Sequence, residues 1–295
     1  MSQSEEAQKE PSLIESFKRI IFHSISNILL FFVPLGYIVH FLNSNAILIF
    51  IMNFLVIIPS AKLVKFANSE LSRHFGQFLG SLLGITLDNL VELIITIIAL
   101  VNGQIRVVQA AVLGSIYSHI LLVLGLCFLF GGIKILRDPN KLNKELEYNS
   151  TIAQMTSSVL TLACISLVIP AAFSLLIGGN YNLTSVPADK IDVNILRISY
   201  GTSIVLLVIY LLFLWFKIKT HKKLFDKLPK NEGDKKHKEH INLIASLVLL
   251  IVMTVIITFS ARFLVESIDG IVESHNISKT FIGLILLPIV GHGAK

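Results

Sequence analysis

The sequence predicts an all-α, polytopic transmembrane protein, and its composition, the length of its apolar runs and the placement of its charges lead to that fold class. Of 295 residues, 54% are hydrophobic and only 15% are charged, and the mean hydropathy is +0.75. A soluble domain carries about 25% charged residues. A bilayer core about 30 Å thick needs roughly 20 apolar helical residues for each crossing, and the chain supplies several such runs. These observations exclude a soluble globular fold.

Eight apolar runs predict about eight membrane-spanning helices. Residues 1–25 precede them and predict a polar tail, in which Leu13, Phe17 and Ile21 share one face, as is typical of an amphipathic helix on a membrane surface. Residues 217–240, which include KNEGDKKHKEH, predict a solvated Lys-rich loop, with contact to anionic lipid as the alternative. The apolar runs are 26–42, 45–66, 75–101, 107–133, 150–177, 197–216, 241–264 and 279–294.

Lysine and arginine are divided unevenly between the two sets of loops that alternate along the chain. The set that includes the N-terminal tail and the Lys-rich loop holds most of the 25 Lys and Arg residues. This bias predicts a cytoplasmic N-terminus. The net charge of +6 comes mostly from one loop, so no nucleic-acid partner is predicted. Asn182 and Asn276 head Asn-x-Ser/Thr sequons in the opposite, lumenal loops and are candidate N-glycosylation sites, although a third sequon at Asn149 falls on the cytoplasmic side.

Two acidic residues and an amide stand inside the third apolar run, at Asp88, Asn89 and Glu92. A carboxylate in the membrane costs at least roughly 2.5–3.5 kcal/mol on insertion scales, which favours a functional site over a satisfied buried acid. Residues three and four apart share one face of a continuous helix, and carboxylate and amide oxygens suit a hard cation such as Ca²⁺. A low dielectric also favours the protonated form of a carboxylate. The pattern therefore predicts that Glu92 exchanges a proton for a cation.

Small and polar residues mark the fourth apolar run. Gly114, Ser115 and Ser118 have the spacing that allows close helix approach and hydrogen bonds between helices, with packing alone as the alternative. The run also carries Gln109, a further candidate for the site. His119 is a candidate proton carrier, and a neutral packed histidine is the other interpretation.

The remaining polar positions give weaker indications. Glu70, at the cytoplasmic end of the second run, is a candidate site residue, but a solvated carboxylate at a helix end is the commoner case. Cys127 and Cys164 lie inside apolar runs and predict neither a disulfide framework nor a metal site. Neither a His-Glu-x-x-His motif nor a Gly-x-Ser-x-Gly elbow occurs in the sequence, so the chain is not predicted to be an enzyme or to hold a cofactor.

A weak internal repeat relates two distant segments. An offset of 203 residues aligns 69–80 (SELSRHFGQFLG) with 272–283 (VESHNISKTFIG) and places Glu92 opposite Lys295. The offset corresponds to five spans, an odd number, so the two copies would have opposite orientations in the membrane. Inverted repeats of this kind build the binding site of many secondary transporters. The repeat therefore indicates the same two segments that the chemistry singles out.

Four stretches resemble the Ca²⁺/cation antiporter superfamily, most closely the fungal vacuolar Ca²⁺/H⁺ exchangers. They are 88–100 (DNLVELIITIIAL), 103–132 (GQIRVVQAAVLGSIYSHILLVLGLCFLFGG), 200–214 (YGTSIVLLVIYLLFL) and 279–291 (KTFIGLILLPIVG). The resemblance implies a leading helix at 26–42, a first five-helix exchanger repeat at 45–216, and the start of an inverted second repeat at 241–295. Because family members have eleven spans, the chain is expected to be truncated within the second repeat.

The family's first signature, Gly-Asn-Ala-x-Glu, matches positions 88–92. The resemblance implies that Glu92 is the first of two Ca²⁺-binding carboxylates and that Asn89 is a kept signature residue. Asp88 replaces the glycine of the signature and Leu90 its alanine. Ser115 and Ser118 match the family's fourth-span motif, in which His119 replaces an asparagine.

The family's second signature would begin at Gly291. There His292 stands in place of asparagine and Lys295 in place of the second carboxylate. A cation at position 295 would oppose Ca²⁺ binding by several kcal/mol at reduced dielectric. The second signature is therefore degenerate in this sequence.

The resemblance implies a vacuolar-membrane Ca²⁺/H⁺ antiporter that moves Ca²⁺ into the vacuole in exchange for protons by alternating access. Its expected partners are Ca²⁺, H⁺ and membrane lipid, and a homo-oligomer stays open. The alternative is a truncated, non-transporting relic, or a regulatory partner that assembles with a full-length homologue.

Overall fold

The computed structural model describes residues 31–42, 45–137, 150–178, 188–221 and 242–292. All regular secondary structure in these ranges is helical, which confirms the all-α class. The helices are α1 Phe32–Phe41, α2 Ala46–His74, α3 Gly76–Leu87, α4 Leu90–Val101, α5 Ile105–Tyr117, α6 Leu124–Arg137, α7 Ser150–Gly178, α8 Ala188–Trp215, α9 Leu243–His275, α10 Lys279–Phe281 and α11 Leu287–His292.

Three of these helices continue into wider, π-helical turns. Ser118–Val123 joins α5 to α6, Phe216–Thr220 extends α8, and Ile282–Leu286 joins α10 to α11. The chain divides into two compact units, of which the first combines Met1–Lys144 with His237–Lys295 and the second is Glu145–Lys236.

Five helices in the described ranges are long and apolar enough to cross a bilayer. A sixth span is possible if α3 and α4, which meet at an angle of 46°, form one broken crossing. The first and last predicted spans appear here as the shorter apolar helices Phe32–Phe41 and Lys279–Ile289. The chain is thus an all-helical, multi-pass membrane protein. The spanning helices are Ala46–His74, Ile105–Arg137, Ser150–Ser174, Val193–Thr220 and Leu243–His275.

Helices α2 and α9 form the core of the first unit and make its most extensive helix pair. They are antiparallel, because a Cβ on Gly270, near the end of α9, would lie 2.8 Å from the Cβ of Ala46 at the start of α2. Ile57 on α2 and Ile257 and Leu264 on α9 are completely buried. Because lipid tails are as apolar as these side chains, close van der Waals packing holds the two helices together along most of their length.

Both core helices are longer than the sequence predicted. The apolar runs predicted to end at residues 66 and 264 continue as helices to His74 and His275. The reason is that each extension is amphipathic: Lys62 and Lys65 are exposed, while the side chains between and beyond them stay in the core. A hydropathy criterion ends a span at the first charges, whereas the helix itself ends only where its buried face ends.

Helix α1 packs against α9 through aromatic side chains. The His40 ring stacks on Phe263 with 3.8 Å between ring centroids, and Tyr37 meets the same Phe263 edge-on. The Tyr37 hydroxyl donates a hydrogen bond to the Ile256 carbonyl. A hydroxyl that is buried among apolar groups needs such a partner, and this bond fixes the position of α1 along α9.

The backbones of α5 and the α10–α11 segment touch where two glycines lie. A Cβ on Gly114 would lie 2.1 Å from the Leu284 carbonyl oxygen, and one on Gly283 would lie 2.7 Å from the Val107 carbonyl oxygen. Both distances are far inside van der Waals contact, so neither position can carry a side chain without movement of the backbone. The close approach predicted from the small residues of the fourth run is confirmed at Gly114.

The second unit contains α7 and α8, which pack against each other. Pro170 lies inside α7, which continues to Gly178. Among the described residues of this unit, Ser166 is a buried polar residue, and its hydroxyl donates to the Leu162 carbonyl one turn earlier.

Replacement of Gly114 by alanine tests the backbone crossing. The new methyl group meets the Leu284 carbonyl, so we expect Gly114→Ala to lower the free energy of unfolding in detergent by about 1–3 kcal/mol. Gly125→Ala is the matched control, because nothing lies within 4 Å of a Cβ there, and alanine favours a helix by up to about 1 kcal/mol over glycine. Equal stabilities of the two variants would contradict the crossing.

Candidate functional site

The third apolar run is not one continuous helix, and the prediction of an unbroken span over 75–101 was wrong at two residues. Asp88 and Asn89 separate α3 from α4 and bend the pair by 46°. Asn89 has φ −103° and ψ 9°, outside the helical geometry of its neighbours. Short Asp and Asn side chains compete with the backbone for hydrogen bonds, which favours such breaks. Asp88 therefore does not share a continuous helical face with Glu92.

Asn68 on α2 holds this break in place. Its side-chain nitrogen donates to the Gly84 carbonyl and to Asp88 Oδ1, both at 3.0 Å. Its side-chain oxygen accepts from the Ser72 hydroxyl at 3.4 Å. Asn68 is 1% exposed, so its bonds are shielded from water and each lost bond would leave a buried polar group unpaired. The sequence analysis missed Asn68; its signal was an amide on the apolar face of α2.

Glu92 stands in the first turn of α4 and is half-buried. The first turn of a helix favours negative charge because its backbone N–H groups lack helical partners. The Glu92 carbonyl accepts a hydrogen bond from the Thr96 hydroxyl at 2.7 Å. Glu92 is thus placed next to the break, at the end of a helix whose remaining residues are almost entirely apolar.

The structure brings Gly291 beside Glu92. A Cβ on Gly291 would lie 3.7 Å from the Cβ of Glu92 and 3.9 Å from its Cγ. Glu92 ends the first signature and Gly291 begins the second, and the two meet although nearly two hundred residues separate them in sequence. A glycine here leaves open the space next to the Glu92 side chain.

Glu92 and Gly291 lie at similar distances along their helices from the same end of the first unit. Helix α4 ends at Val101, about 13 Å of helical rise beyond Glu92. Lys279 begins α10 and lies roughly 18 Å of helical rise before Gly291. The two starting points are neighbours, because the Lys279 ammonium donates to the side chain of Gln104, just beyond α4.

The candidate residues of the fourth apolar run lie in α5 and in the π-helical turn after it, and α5 packs against the α10–α11 segment. Ser115 and Ser118 are half-buried, whereas Gln109 and His119 are exposed. Ser118 Oγ is buried and makes no hydrogen bond to any described residue. His119 Nδ1 lies 3.0 Å from the Ser115 carbonyl. The two serines are therefore better placed than the other two residues for a buried polar role.

An open, mostly apolar groove of about 500 Å³ runs between α5 and the α10–α11 segment. Ser118 lines one wall and Pro288 the other. Since Pro288 is one turn from Gly291, the groove ends near the Glu92 neighbourhood. The structure thus arranges the Glu92 region and Ser118 along one helical segment, without bringing their side chains into contact.

Glu70 differs from the sequence expectation of a solvated carboxylate. It is 2% exposed and lies inside α2. Its Oε1 accepts from Arg73 at 2.9 Å, one turn further along the helix. The expectation was wrong because α2 continues to His74 and turns this position towards the core.

Several of the predicted features lie at residues that the structure does not describe. The tail 1–25, most of the Lys-rich loop, Asn182 and Lys295 lie outside the described residues, as does the side chain of His292. Asn276 is described: it is exposed and caps α9 with a left-handed φ of 52°. Among the described residues, no three His, Cys, Asp or Glu side chains group as a metal site.

A second polar cluster was not predicted from the sequence. Gln104 Nε2 donates to Asp269 Oδ2 at 2.7 Å, and Gln104 Oε1 accepts from the Lys279 ammonium at 2.9 Å. Lys279 and Asp269 also pair directly at 2.6 Å. Gln104 and Asp269 lie between predicted apolar runs and Lys279 begins one, so hydropathy gives no reason to expect the three side chains to meet.

Comparison with known proteins gives one family. The family model described as sodium/calcium exchanger protein matches residues 45–219 and 245–292. The vacuolar calcium ion transporter of Schizosaccharomyces pombe is 37% identical over 278 residues, with 94% of this chain and 63% of that protein covered. The vacuolar calcium ion transporter of Cryptococcus neoformans is 30% identical over 374 residues, with 97% and 60% covered. The chain spans about three fifths of the length of these curated relatives.

A solved structure shares the fold. The structure of native YfkE superimposes with a TM-score of 0.68 and 28% sequence identity, over 92% of this chain and 70% of that one.

Removal of the Asn68 amide tests its role at the break. Asn68→Ala removes the amide that donates to the Asp88 carboxylate, so we expect the free energy of unfolding to fall by about 1–3 kcal/mol. We also expect faster amide hydrogen exchange at residues 88–93. Asn102→Ala is the control, because Asn102 is exposed and bonds only one turn back within its own helix. Unchanged protection at 88–93 would show that Asn68 does not hold the break.

Proposed function

Since this chain belongs to the sodium/calcium exchanger protein family, we propose that it acts as a vacuolar Ca²⁺/H⁺ antiporter, moving Ca²⁺ into the vacuole as protons leave. The names of its relatives support the substrate: two are vacuolar calcium ion transporters, and YfkE is described as a Ca²⁺/H⁺ antiporter protein. The main support from this chain's own structure is the position of Glu92 beside a helix break and in contact with Gly291.

Glu92 is the proposed exchange group. Its carboxylate can hold either a proton or a share of a cation, but not both at once. A cation that displaces the proton makes the two ions compete for one site, which is the requirement for exchange. Asp88 and Asn89 are exposed at the same break and offer further oxygen ligands of the kind that Ca²⁺ prefers.

The remaining candidate site residues are proposed to support ion binding at Glu92 or to stabilise the helices around it. Ser115 and Ser118 are proposed to complete the polar lining, Ser118 with its unpaired hydroxyl in particular. Gln109 and His119 stay candidates for the path of the ion or the proton. Glu70 is proposed to stabilise α2 through Arg73 instead of binding the ion.

The proposed movement is alternating access between two inverted repeats, at 45–216 and from 241 onwards, with 26–42 as a leading helix. The antiparallel pair α2 and α9 supports this arrangement, since one helix comes from each repeat. In such transporters the site stays fixed while the repeats rock around it. A broken helix at the site leaves backbone groups free to bind an ion, whereas in a continuous helix these groups are hydrogen-bonded to each other.

Orientation and partners complete the proposal. The Lys and Arg bias supports a cytoplasmic N-terminus and a lumenal end at Asp269. Ca²⁺, H⁺ and lipid are the proposed partners, with a homo-oligomer as an open arrangement. No cofactor and no enzymatic step are needed, because the proton gradient supplies the free energy.

A second candidate function rests on Lys295. The internal repeat places this residue opposite Glu92, and a cation near that carboxylate would compete with Ca²⁺. The chain would then be a non-transporting partner that assembles with a full-length exchanger. Co-purification with a full-length relative, together with no uptake by the chain alone, would favour this candidate.

Conversion of Glu92 to glutamine tests the antiporter directly. Glu92→Gln keeps the side-chain shape but removes the exchangeable charge, so we expect ΔpH-driven ⁴⁵Ca²⁺ uptake into sealed vesicles to fall at least about a hundredfold. Glu273→Gln is the matched control, since Glu273 is an exposed carboxylate at the end of α9, and it should transport normally. Full uptake by a well-folded Glu92→Gln protein would rule out Glu92 as the exchange group.

A further inference from the structure

Gln104 uses both ends of its amide to join two oppositely charged residues. The amide nitrogen donates to Asp269 and the amide oxygen accepts from Lys279, while those two side chains also pair with each other. Gln104 is 7% exposed, whereas the side chains of Asp269 and Lys279 are 54% and 38% exposed. An exposed ion pair alone contributes little. The buried amide makes this cluster costlier to break, because opening it leaves a polar group unpaired.

The cluster joins three separate elements at one end of the first unit. Gln104 lies between α4 and α5, Asp269 lies near the end of α9, and Lys279 begins α10. Helix α4 leads from this end to Glu92, and the α10–α11 segment leads from it to Gly291. The three side chains therefore tie together the far ends of the two elements that meet at the candidate site.

The same end of the unit is tightly packed. Just past the cluster, a Cβ on Gly283 would lie 2.7 Å from the Val107 carbonyl oxygen. On the opposite side of Glu92, Asp88 and Asn89 are exposed. In this conformation α5 and the α10–α11 segment are in backbone contact at the Asp269 end, while Asp88 and Asn89 on the other side of Glu92 are exposed.

The charged pair of the cluster has no charged counterpart in the internal repeat. At the offset of 203 residues, Asp269 corresponds to Phe66 and Lys279 to Gly76. Two inverted repeats with identical contacts would favour neither orientation of the site. A charged pair that only the second repeat supplies, and that Gln104 of the first repeat binds, favours the conformation in which these contacts are intact.

We propose that Gln104, Asp269 and Lys279 form a polar latch that keeps the Asp269 end of the path to Glu92 closed and must open when the site faces that end. The identification of this path as an ion path rests on the proposed function. The latch itself determines from which side of the membrane a reagent can reach the site, and this can be tested without any transported ion.

The test measures access to a cysteine near Glu92 from each side of sealed vesicles. Thr96→Cys is the reporter, because Thr96 is half-buried and lies one turn beyond Glu92 towards the latch. It is placed in the full chain with the exposed cysteines Cys127 and Cys164 changed to alanine. A membrane-impermeant, cationic methanethiosulfonate is added to one side at a time, with no Ca²⁺ and no pH gradient. Labelling of Glu273→Cys in a separate protein identifies the latch side.

Two variants open the latch and one swap re-forms it. We expect Asp269→Asn and Lys279→Gln each to speed labelling from the latch side roughly tenfold, the factor that one charge-assisted hydrogen bond represents. The double swap D269K/K279D should restore the slow rate, because an amide that turns over can accept from a lysine and donate to an aspartate in the exchanged positions. Glu273→Gln, which removes a nearby charge outside the latch, should leave the rate unchanged.

Four results would overturn the latch, three of them in the single variants and their control. These are an unchanged latch-side rate in the single variants, an equal acceleration from both sides, and an equal acceleration in Glu273→Gln. A swap that folds but labels as fast as the single variants would also overturn it. If one single variant fails to fold, the other decides. A chain that does not transport Ca²⁺ would still give a clear labelling result, so failure of the latch and failure of the proposed function are separable.

Discussion

The hydrogen bonds from Asn68 to the break between α3 and α4 are the interaction on which the candidate site depends. A helix break exposes backbone groups, and in an apolar environment every such group needs a partner inside the protein. Asn68 supplies one donor that serves the Gly84 carbonyl and the Asp88 carboxylate together. Because the break is held in this way, Glu92 starts a new helix in place of lying in the middle of an old one.

The long helices and the short ones have different tasks in this arrangement. The α2–α9 pair buries an apolar interface along most of its length. The short elements α4, α10 and α11 carry the polar chemistry. Helix α11 meets α4 at Gly291, and the α10–α11 segment meets α5 at Gly114 and Gly283, where the lack of side chains allows close approach. A closely packed helix pair with shorter, broken elements beside it fits the proposed alternating access.

The sequence predicted the helical class, the apolar runs and the meeting of the two repeat segments near Glu92. Hydropathy was sufficient for the runs, since a bilayer imposes a minimum length on each apolar stretch. It failed at the ends of α2 and α9, where charged residues on one face hide a buried face on the other. It also missed the break at Asp88, because a two-residue interruption hardly changes the average over a span.

Buried polar partners were the least predictable part of the site. Asn68 and Gln104 are single amides in apolar surroundings, and nothing in their local sequence indicates residues 20 or 165 positions away as partners. Glu70 illustrates the opposite error, since a charge near the edge of an apolar run was taken as solvated although the helix continues. Only the three-dimensional packing decides which of these side chains meet.

The central claim is that one carboxylate, Glu92, holds either a proton or Ca²⁺. The number of protons released per Ca²⁺ bound tests it most directly, measured by calorimetric titration of the purified chain in two buffers of different ionisation enthalpy. Linkage requires that a cation which displaces a proton releases it into the buffer. We predict that Glu92→Gln releases about one proton fewer per Ca²⁺ than the unmodified chain, or loses Ca²⁺ binding altogether. Tight Ca²⁺ binding with the same proton release in both proteins would contradict the claim.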